Sequence, residues 1–406
     1  MIWKRENIKD LTELFTDGDW IETKNQSVDG IRLIQTGNIG FGKFKPKEDK
    51  KRFISPNTFE KLKCKEIYPG DILTSRLPDP VGKSCIIPDV GERMITGVDC
   101  SIIRLKPHVD KVFFCYYQMS NEYLNEVNSR VTGTTRSRIS RKNLGQIKVP
   151  IPPLPEQKQI VETLDKAFEK IDKAIANIER NIQNAEEMYE SKLNEIFSNS
   201  CDDWSETKMV DLCDILTCGV ASTPKYVDES IGIPFLSAQN VRNGKVVLNK
   251  HGYISKKLHE HLTKKNKPSK GDILYSRVGA KFGEAAVVEH DFEFSVYVSL
   301  TLIRPKAEKL YNYYLKHLLN SPSIKSLAKS SITSSGVPNL NVKSVRDFPI
   351  RYPNLSEQIR LVGTIDGLSE HIQSLMSNYR EELKNLEELK KSILEKAFKG
   401  ELTSAA

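Results

Sequence analysis

Three features of this chain hold residue types that could do chemistry by themselves. In "PDPVGKSC" (78–85), Gly82-Lys83-Ser84 matches the end of a phosphate-binding loop, in which backbone N–H groups and a lysine cradle a nucleotide. That loop needs a glycine at position 77, where Leu77 stands, so no nucleotide site is expected. "HEH" at 259–261 spaces two histidines i, i+2 within a lysine-rich stretch, which reads as a solvated loop rather than a metal site. The seven cysteines (64, 85, 100, 115, 201, 213 and 218) are odd in number and contain no C-x-x-C pair, favouring neither a disulfide framework nor a zinc knuckle. No Asn/Asp-Pro-Pro-aromatic tetrapeptide is present to clamp a base for amino-methylation, and no glycine-rich cofactor loop joins strand to helix. No catalytic residue and no metal ligand are expected, and any methylation or cleavage has to come from a partner.

The residues that remain suit binding, and a polyanion in particular. "RVTGTTRSRISRK" (130–142) carries five positive charges and no acid. Its Thr134 and Thr135 can hydrogen-bond phosphates, while Arg136, Arg138 and Arg141 can contact phosphate or fork onto the major-groove edge of guanine. The corresponding "SSITSSGVPNLNVK" (330–343) keeps hydroxyls at Ser334 and Ser335 but has Val337, Pro338 and Asn339 in place of the arginines. A second pair of candidates follows the phrase "GDIL": Arg76 and Lys83 in the first half, Arg277 and Lys281 in the second, where a loop leaves a strand. A third pair, "QTGNIGFGKFK" (35–45) and "SAQNVRNGK" (237–245), offers Asn38, Lys43, Gln239, Asn240, Arg242 and Lys245. Asparagine and glutamine suit the N6/N7 edge of adenine, although turn chemistry also explains an asparagine beside glycine. "KKLHEHLTKKNKPSK" (256–270), with six lysines and one acid, reads as a loop that is either solubilising or attracted to phosphates without regard to sequence.

These candidates come in pairs because the chain is written twice. "GDILTSR" (70–76) and "GDILYSR" (271–277) lie 201 residues apart, and Trp3/Trp204, Asp10-Leu11/Asp211-Leu212 and Glu156-Gln157/Glu357-Gln358 keep the same offset. Residues 1–150 and 200–350 have short β-rich runs between glycines, prolines and lysine-rich loops, the texture of a compact mixed domain. Beyond "VPIPPLPE" (149–156) and "FPIRYPNLSE" (348–357) the period becomes helical. Leu164, Ile171, Ile175, Ile178 and Ile182, and then Ile365, Leu368, Ile372, Leu375, Leu386 and Ile393, fall on the alternating four-and-three spacing of a coiled-coil seam. Each helix of about 40 residues would be some 60 Å long at ~1.5 Å per residue.

Composition sets the class. The chain is 38% hydrophobic and 28% charged, and no apolar run approaches the roughly 18–20 residues that a membrane span needs. No basic-then-apolar start resembles a signal peptide, and with the cysteine usage this leads us to expect a reducing cytoplasm and no membrane partner. A net charge of +8 permits a polyanionic partner without requiring one. Two copies of a globule with a striped helix bury their stripes most simply against each other about a pseudo-two-fold axis, which makes the helices antiparallel and sends the globules to opposite ends. Symmetric proteins read two half-sites on double-stranded DNA at a set spacing, so a fused pseudo-dimer with diverged heads would read two different ones.

The order of head, "PLPEQ"-led helix, second head and "LSEQ"-led helix, with "GDIL.SR" in each head and the terminal "LEELKKSILEKAFKGEL" (386–402), resembles the specificity subunit of type I restriction–modification systems over essentially the whole chain. The resemblance implies an α+β chain in which two mixed α/β target recognition domains, 1–152 and 200–353, are joined by helices 153–199 and 354–406 paired as an antiparallel coiled coil. It further implies that each head reads one part of a split, double-stranded DNA target and that the helices dock two methyltransferase subunits, with restriction/translocase subunits outside them. The chain itself would then hold no cofactor, and S-adenosylmethionine, ATP and Mg2+ would sit on the partners. Two other readings stay open on the residues alone: a self-contained DNA-modifying enzyme, and a coiled-coil adaptor whose heads bind protein.

Overall fold

The computed structural model describes residues 3–133, 137–198, 203–279, 282–332 and 338–402. The chain divides into two compact units, Met1–Ile178 with Arg380–Ala406, and Glu179–Tyr379. The first runs β1 (Lys4–Asn7), β2 (Thr12–Asp17), β3 (Ile31–Ile34), β4 (Phe53–Ile54), α1 (Pro56–Leu62), β5 (Glu66–Ile67), β6 (Ile72–Ser75), β7 (Ser84–Ile86), β8 (Met94–Thr96), β9 (Cys100–Leu105), α2 (Lys111–Tyr117), α3 (Asn121–Ser129), α4 (Arg141–Gly145) and β10 (Lys148–Ile151), then enters the long helix α5 (Leu154–Ser198). The second follows the same order with an added hairpin, β14–β15, and without a counterpart of β5: β11 (Ser205–Lys208), β12 (Cys213–Cys218), β13 (Ile233–Leu236), β14 (Val241–Arg242), β15 (Lys245–Val246), β16 (Gly252–Ile254), α6 (Lys256–Thr263), β17 (Ile273–Ser276), β18 (Ala285–Val287), β19 (Ser295–Val296), β20 (Leu300–Pro305), α7 (Asn312–Leu319), α8 (Pro322–Ser330), α9 (Val342–Arg346), β21 (Pro349–Tyr352) and the long helix α10 (Leu355–Phe398).

The repeated phrase "GDIL" explains how each head is layered. Gly70 and Gly271 hold φ of +93° and +89°, a left-handed conformation that a side chain would strain. The Asp71 carboxylate takes a two-pronged hydrogen bond from Arg104 and accepts the N–H of Tyr68, while Asp272 does the same with Arg304 and Ser269. Isoleucine and leucine then alternate across the strand and so feed two different cores. Ile72 and Ile103 face the helices of the first head, whereas Leu73 and Ile102 pack toward its second sheet. In the second head Ile273 and Ile303 go one way and Leu274 and Leu302 the other. The sheets follow suit, with the antiparallel order β2-β9-β6-β7 in one head and its counterpart β12-β20-β17-β18, extended by β15-β14, in the other.

The second repeated phrase is the hinge of head on helix. Gln157 is fully buried, accepts the N–H of Asp110 at 2.8 Å, and donates to the carbonyls of Pro152 and His108 at 2.8 and 3.1 Å. Gln358 is equally buried and makes the same three bonds, to Tyr311 N–H and to the Pro353 and Lys309 carbonyls. In the first unit Ile160, Leu164, Phe168 and Ile171 of α5 share one core with Leu394, Ala397 and Phe398 of α10. In the second, Leu193 and Phe197 of α5 join Leu361, Val362 and Ile365 of α10. The two helices therefore pack together antiparallel.

Two local expectations change, and one strand differs between the heads. The stretch 256–270 is not all loop: Ser255 caps α6, and within it His259 is 2% exposed with Nδ1 2.9 Å from Ser295 Oγ. Only Leu258 and Leu262 are apolar in that helix, too few to show a helical stripe. The strand β5 has no partner element in the second head, because Lys267-Pro268 stands where Glu66-Ile67 pairs with β8, and proline has no N–H for a ladder. Along the helices Leu164, Ile171, Ile178, Ile365 and Ile372 are buried and Ile175, Ile182, Leu368, Leu386 and Ile393 half-buried, but Leu375 is 37% exposed. A strict seven-residue repeat drifts about 20° per heptad on a straight helix, and here Ser369, Ile372, Gln373 and Met376 face Tyr189 instead.

Candidate nucleic-acid interface

The candidate loops of each head are brought together by backbone hydrogen bonds. Ile139 N–H donates to the Arg76 carbonyl at 3.2 Å, joining the loop after β6 to the arginine-rich loop, and Gly42 N–H reaches the Ser84 carbonyl at 2.9 Å, adding the loop after β3. In the second head Leu340 N–H donates to the Arg277 carbonyl at 2.8 Å and Gly279 N–H to the Pro338 carbonyl at 3.1 Å. There the third loop arrives as the β14–β15 hairpin, whose Asn243 N–H donates to Glu284 Oε1 at 3.2 Å. Three loops thus converge in each head at the same end of β6 or β17.

Within these patches the polar side chains divide into those that build the loop and those left free for a ligand. Arg76 is 5% exposed, donates to the Val98 carbonyl and lies 3.4 Å from Asp17, and burial works against its charge. Arg277 is 8% exposed and donates to the carbonyls of Val298 and Leu340 and to Asn339 Oδ1. These two arginines, expected at phosphates, are held inside the heads. Asn38 accepts the Gln35 N–H and donates to the Lys45 carbonyl, and the fully buried Asn240 accepts the Ser237 N–H and donates to Val247 and Lys250. Both asparagines are thus turn-formers, the second of the two roles open to them in the sequence. Gln239 donates to the Lys250 carbonyl, and Arg242 to the carbonyls of Ala238 and Val241. Lys43 is 82% exposed, but it leans toward the helix, 3.7 Å from Asp172 on α5.

The converging loops of the first head hold two partly exposed arginines among the described residues. Arg138 and Arg141 are 43% and 44% exposed, each beside one acid, Asp99 at 3.2 Å and Asp17 at 4.0 Å. Thr132 and Arg138 exchange backbone hydrogen bonds at 2.9 Å. Lys83 donates to the Asp79 carbonyl at 2.9 Å. Burial first, then Lys45 and Lys47, hold its pKa below the usual lysine value, a repulsion that a phosphate oxygen would relieve. Neither Lys45 nor Lys47 stood out in the sequence. In the second head Lys245 and Asn339 are exposed, and Glu284 occupies the place of Lys83 after an equivalent left-handed glycine, Gly82 or Gly283. That charge reversal is readable by laying the two "GDIL" phrases over each other. Thr134, Thr135, Arg136, Lys281, Ser334 and Ser335 lie outside the described residues.

Among the described residues no group of three or more His, Cys, Asp or Glu side chains could hold a metal ion, and no helix is long and apolar enough to cross a membrane. The model of the type I restriction modification DNA specificity domain matches residues 2–184 and again 201–385. The chain is similar to the type I restriction enzyme EcoKI specificity subunit of Escherichia coli K12, 26% identical over 395 residues that cover 93% of this chain and 83% of that one. It is also similar to the StySPI specificity subunit of Salmonella potsdam, 24% identical with the same two coverages. In fold it is similar to a chain solved in work on complex assembly and conformational transition of the type I R-M system, with a TM-score of 0.78, 19% identity and 98% of each chain covered. The HsdS subunit from Thermoanaerobacter tengcongensis follows with a TM-score of 0.56 and 18% identity, over 98% of this chain and 97% of that one.

Proposed function

This chain belongs to the type I restriction modification DNA specificity family, and from that premise we propose that it is the non-catalytic subunit that reads a two-part, asymmetric DNA target for its complex. Each head reads one part. Exposed cations such as Arg138 and Arg141 hold phosphates and set register, while groups on the converging loops meet base edges. The observation that carries this reading is the asymmetry within a shared frame. Two heads that share a four-strand core order and the same Asp–Arg forks present Lys83 in one and Glu284 in the other at the same position of the loop. The helices serve as scaffold for two methyltransferase subunits, with restriction/translocase subunits beyond them. S-adenosylmethionine, ATP and Mg2+ belong on those partners, and the complex works in the cytoplasm.

Methylome sequencing tests this. A host expressing the chain with a type I methyltransferase subunit should acquire methylation at an interrupted motif of two unlike parts with a fixed spacer. Methylation at an uninterrupted motif, or the same methylation when the chain is omitted, would overturn the proposal.

A further inference from the structure

One basic surface of the second head is not accounted for by the reading loops. Thr217, Cys218, His261, Lys264, Lys265 and Asn266 line a cleft of about 440 Å³ between the end of β12 and the segment that follows α6. No carboxylate lines it. Lys264, Lys265 and His261 are exposed, and the neighbouring Lys267 is paired with Glu293 at 2.5 Å.

At the corresponding place in the first head the residues differ and bond to one another. Asp17 stands where Cys218 does, Asp19 where Val220 does and, counting back from Gly70 and Gly271, Lys65 where Asn266 does. Lys65 donates from its backbone to Asp19 at 2.7 Å and from Nζ to Thr16 at 2.8 Å. In the second head both acids and that lysine are gone, and a positive wall faces an open cleft.

The cleft wall is joined to the reading loops through hydrogen bonds of residues 296–299. Val296 lines it, Val298 N–H donates to the Val220 carbonyl at 2.9 Å, the Val298 carbonyl accepts from Arg277, and Ser299 Oγ accepts the Ala238 N–H. The positive charge of the cleft wall suits it to the phosphates of a DNA strand held at the neighbouring loops of residues 238–245 and 338–340. Those loops hold few free cations of their own, since Arg277 is buried and Arg242 is bonded to backbone carbonyls.

We infer that this cleft is the phosphate clamp of the second head: Lys264 and Lys265 hold the DNA backbone without regard to sequence, while the loops beside them read the bases. The inference rests on the DNA-specificity reading above. It means that the heads divide affinity and selectivity differently, the first placing its cations within the reading loop and the second beside it.

The test uses the chain assembled with its methyltransferase subunit and a duplex carrying the target. Lys264→Gln with Lys265→Gln should flatten the slope of log affinity against log salt by about 1.8, at about 0.9 for each phosphate no longer neutralised. Target and unrelated DNA should weaken by the same factor, and the methylated motif should not change. A readout that needs no variant is alkylation of Cys218, exposed on the cleft wall. Burial pushes the Cys64 and Cys115 thiols up to about 11 and those of Cys85, Cys100 and Cys213 up to about 12, so they react slowly at neutral pH. Peptide-resolved mass spectrometry should show Cys218 protected when DNA is added. An unchanged slope with Cys218 equally reactive would overturn the clamp, and so would protection by the methyltransferase subunit before any DNA is present. If Arg138→Gln with Arg141→Gln weakens binding while these lysines do nothing, the clamp alone fails. If the unaltered complex shows no salt-dependent DNA binding, the reading beneath it fails as well.

Discussion

The two heads agree in the bonds that build their shared frame and differ in charge at several positions on and beside their converging loops. Asp71 and Asp272, Gln157 and Gln358, Arg76 and Arg277, and Asn38 and Asn240 make matching bonds in matching places. Lys83 against Glu284, Asp17 against Cys218, and Arg138 against Asn339 do not match. Duplication keeps what the frame needs and frees what faces outward, so a difference between copies is a better guide to the ligand surface than a likeness.

The largest effects should fall on the shared frame, and equally on both heads. Gln157→Ala removes the partner of one N–H and two carbonyls, of which the Pro152 bond is fully buried and the others part-buried, and Gln358→Ala removes the equivalent three. At about 1–3 kcal/mol per orphaned group, partly recovered by relaxation, each variant should lose about 3 kcal/mol in denaturant unfolding. A difference of more than about 1.5 kcal/mol between the two would show that the frame is not held alike.

Next come the outward cations, where the heads should part. Arg138→Gln with Arg141→Gln should weaken DNA binding by the assembled complex and flatten its salt slope by up to about 1.8, with any change of preference confined to one half of the target. Asn339→Ala should leave the slope as it is. Equal slope changes in the two variants would contradict the charge asymmetry.

A smaller asymmetry lies where head meets helix. Tyr116 donates to Asp165 on α5 in the first unit, and at the equivalent positions His317 Nε2 lies 2.8 Å from Asp366 on α10 in the second. Burial, reinforced by Lys316, holds the pKa of His317 below the ordinary 6.5, so the folded unit binds fewer protons than the unfolded chain below that pH. Stability should be level above pH 6.5 and fall as pH drops beneath it, by at most about 1.4 kcal/mol per pH unit. Burial pushes the Tyr116 phenol up, so that contact does not titrate near neutrality. His317→Tyr should remove this component from unfolding curves compared at pH 7 and pH 5.5, and an unchanged pH dependence would place its origin elsewhere.

The smallest effect concerns the chain ends. A Cβ on Gly400 would lie 3.5 Å from the Trp3 ring, so the two ends of the first unit meet. Joining residue 402 to residue 3 by a short linker and opening the chain between Ser198 and Asp203 should leave the methylated motif unchanged. A four-residue insertion near Asn184 is the counter-experiment, since it breaks the helical register and should alter the spacer or abolish methylation.

The frame was legible because its anchors are written in side chains twice over: "GDIL", "EQ" and the tryptophans hold one register through the chain. The ligand surface was legible only as a set of loops. Arg76 and Arg277 have the residue type of a phosphate contact, and nothing local tells whether a guanidinium's partner is a phosphate or the carbonyl of Val98 or Val298. Lys43 appeared as a loop cation because its neighbour Asp172 is 129 positions away along the sequence. Helix α6 stayed hidden because its buried face is made by a histidine, and the cleft beside it has Cys218 and Val220 where the first head has Asp17 and Asp19, which shows only when the second copy is compared with the first.

The central claim is that each head reads its own half of the target on a common frame. Replacing residues 1–150 with the first head of another member of the family, and sequencing the methylome of a host expressing the exchanged chain with its methyltransferase subunit, addresses it most directly. One half of the methylated motif should change, while the other half and the spacer remain as they were. A motif altered in both halves would contradict the account.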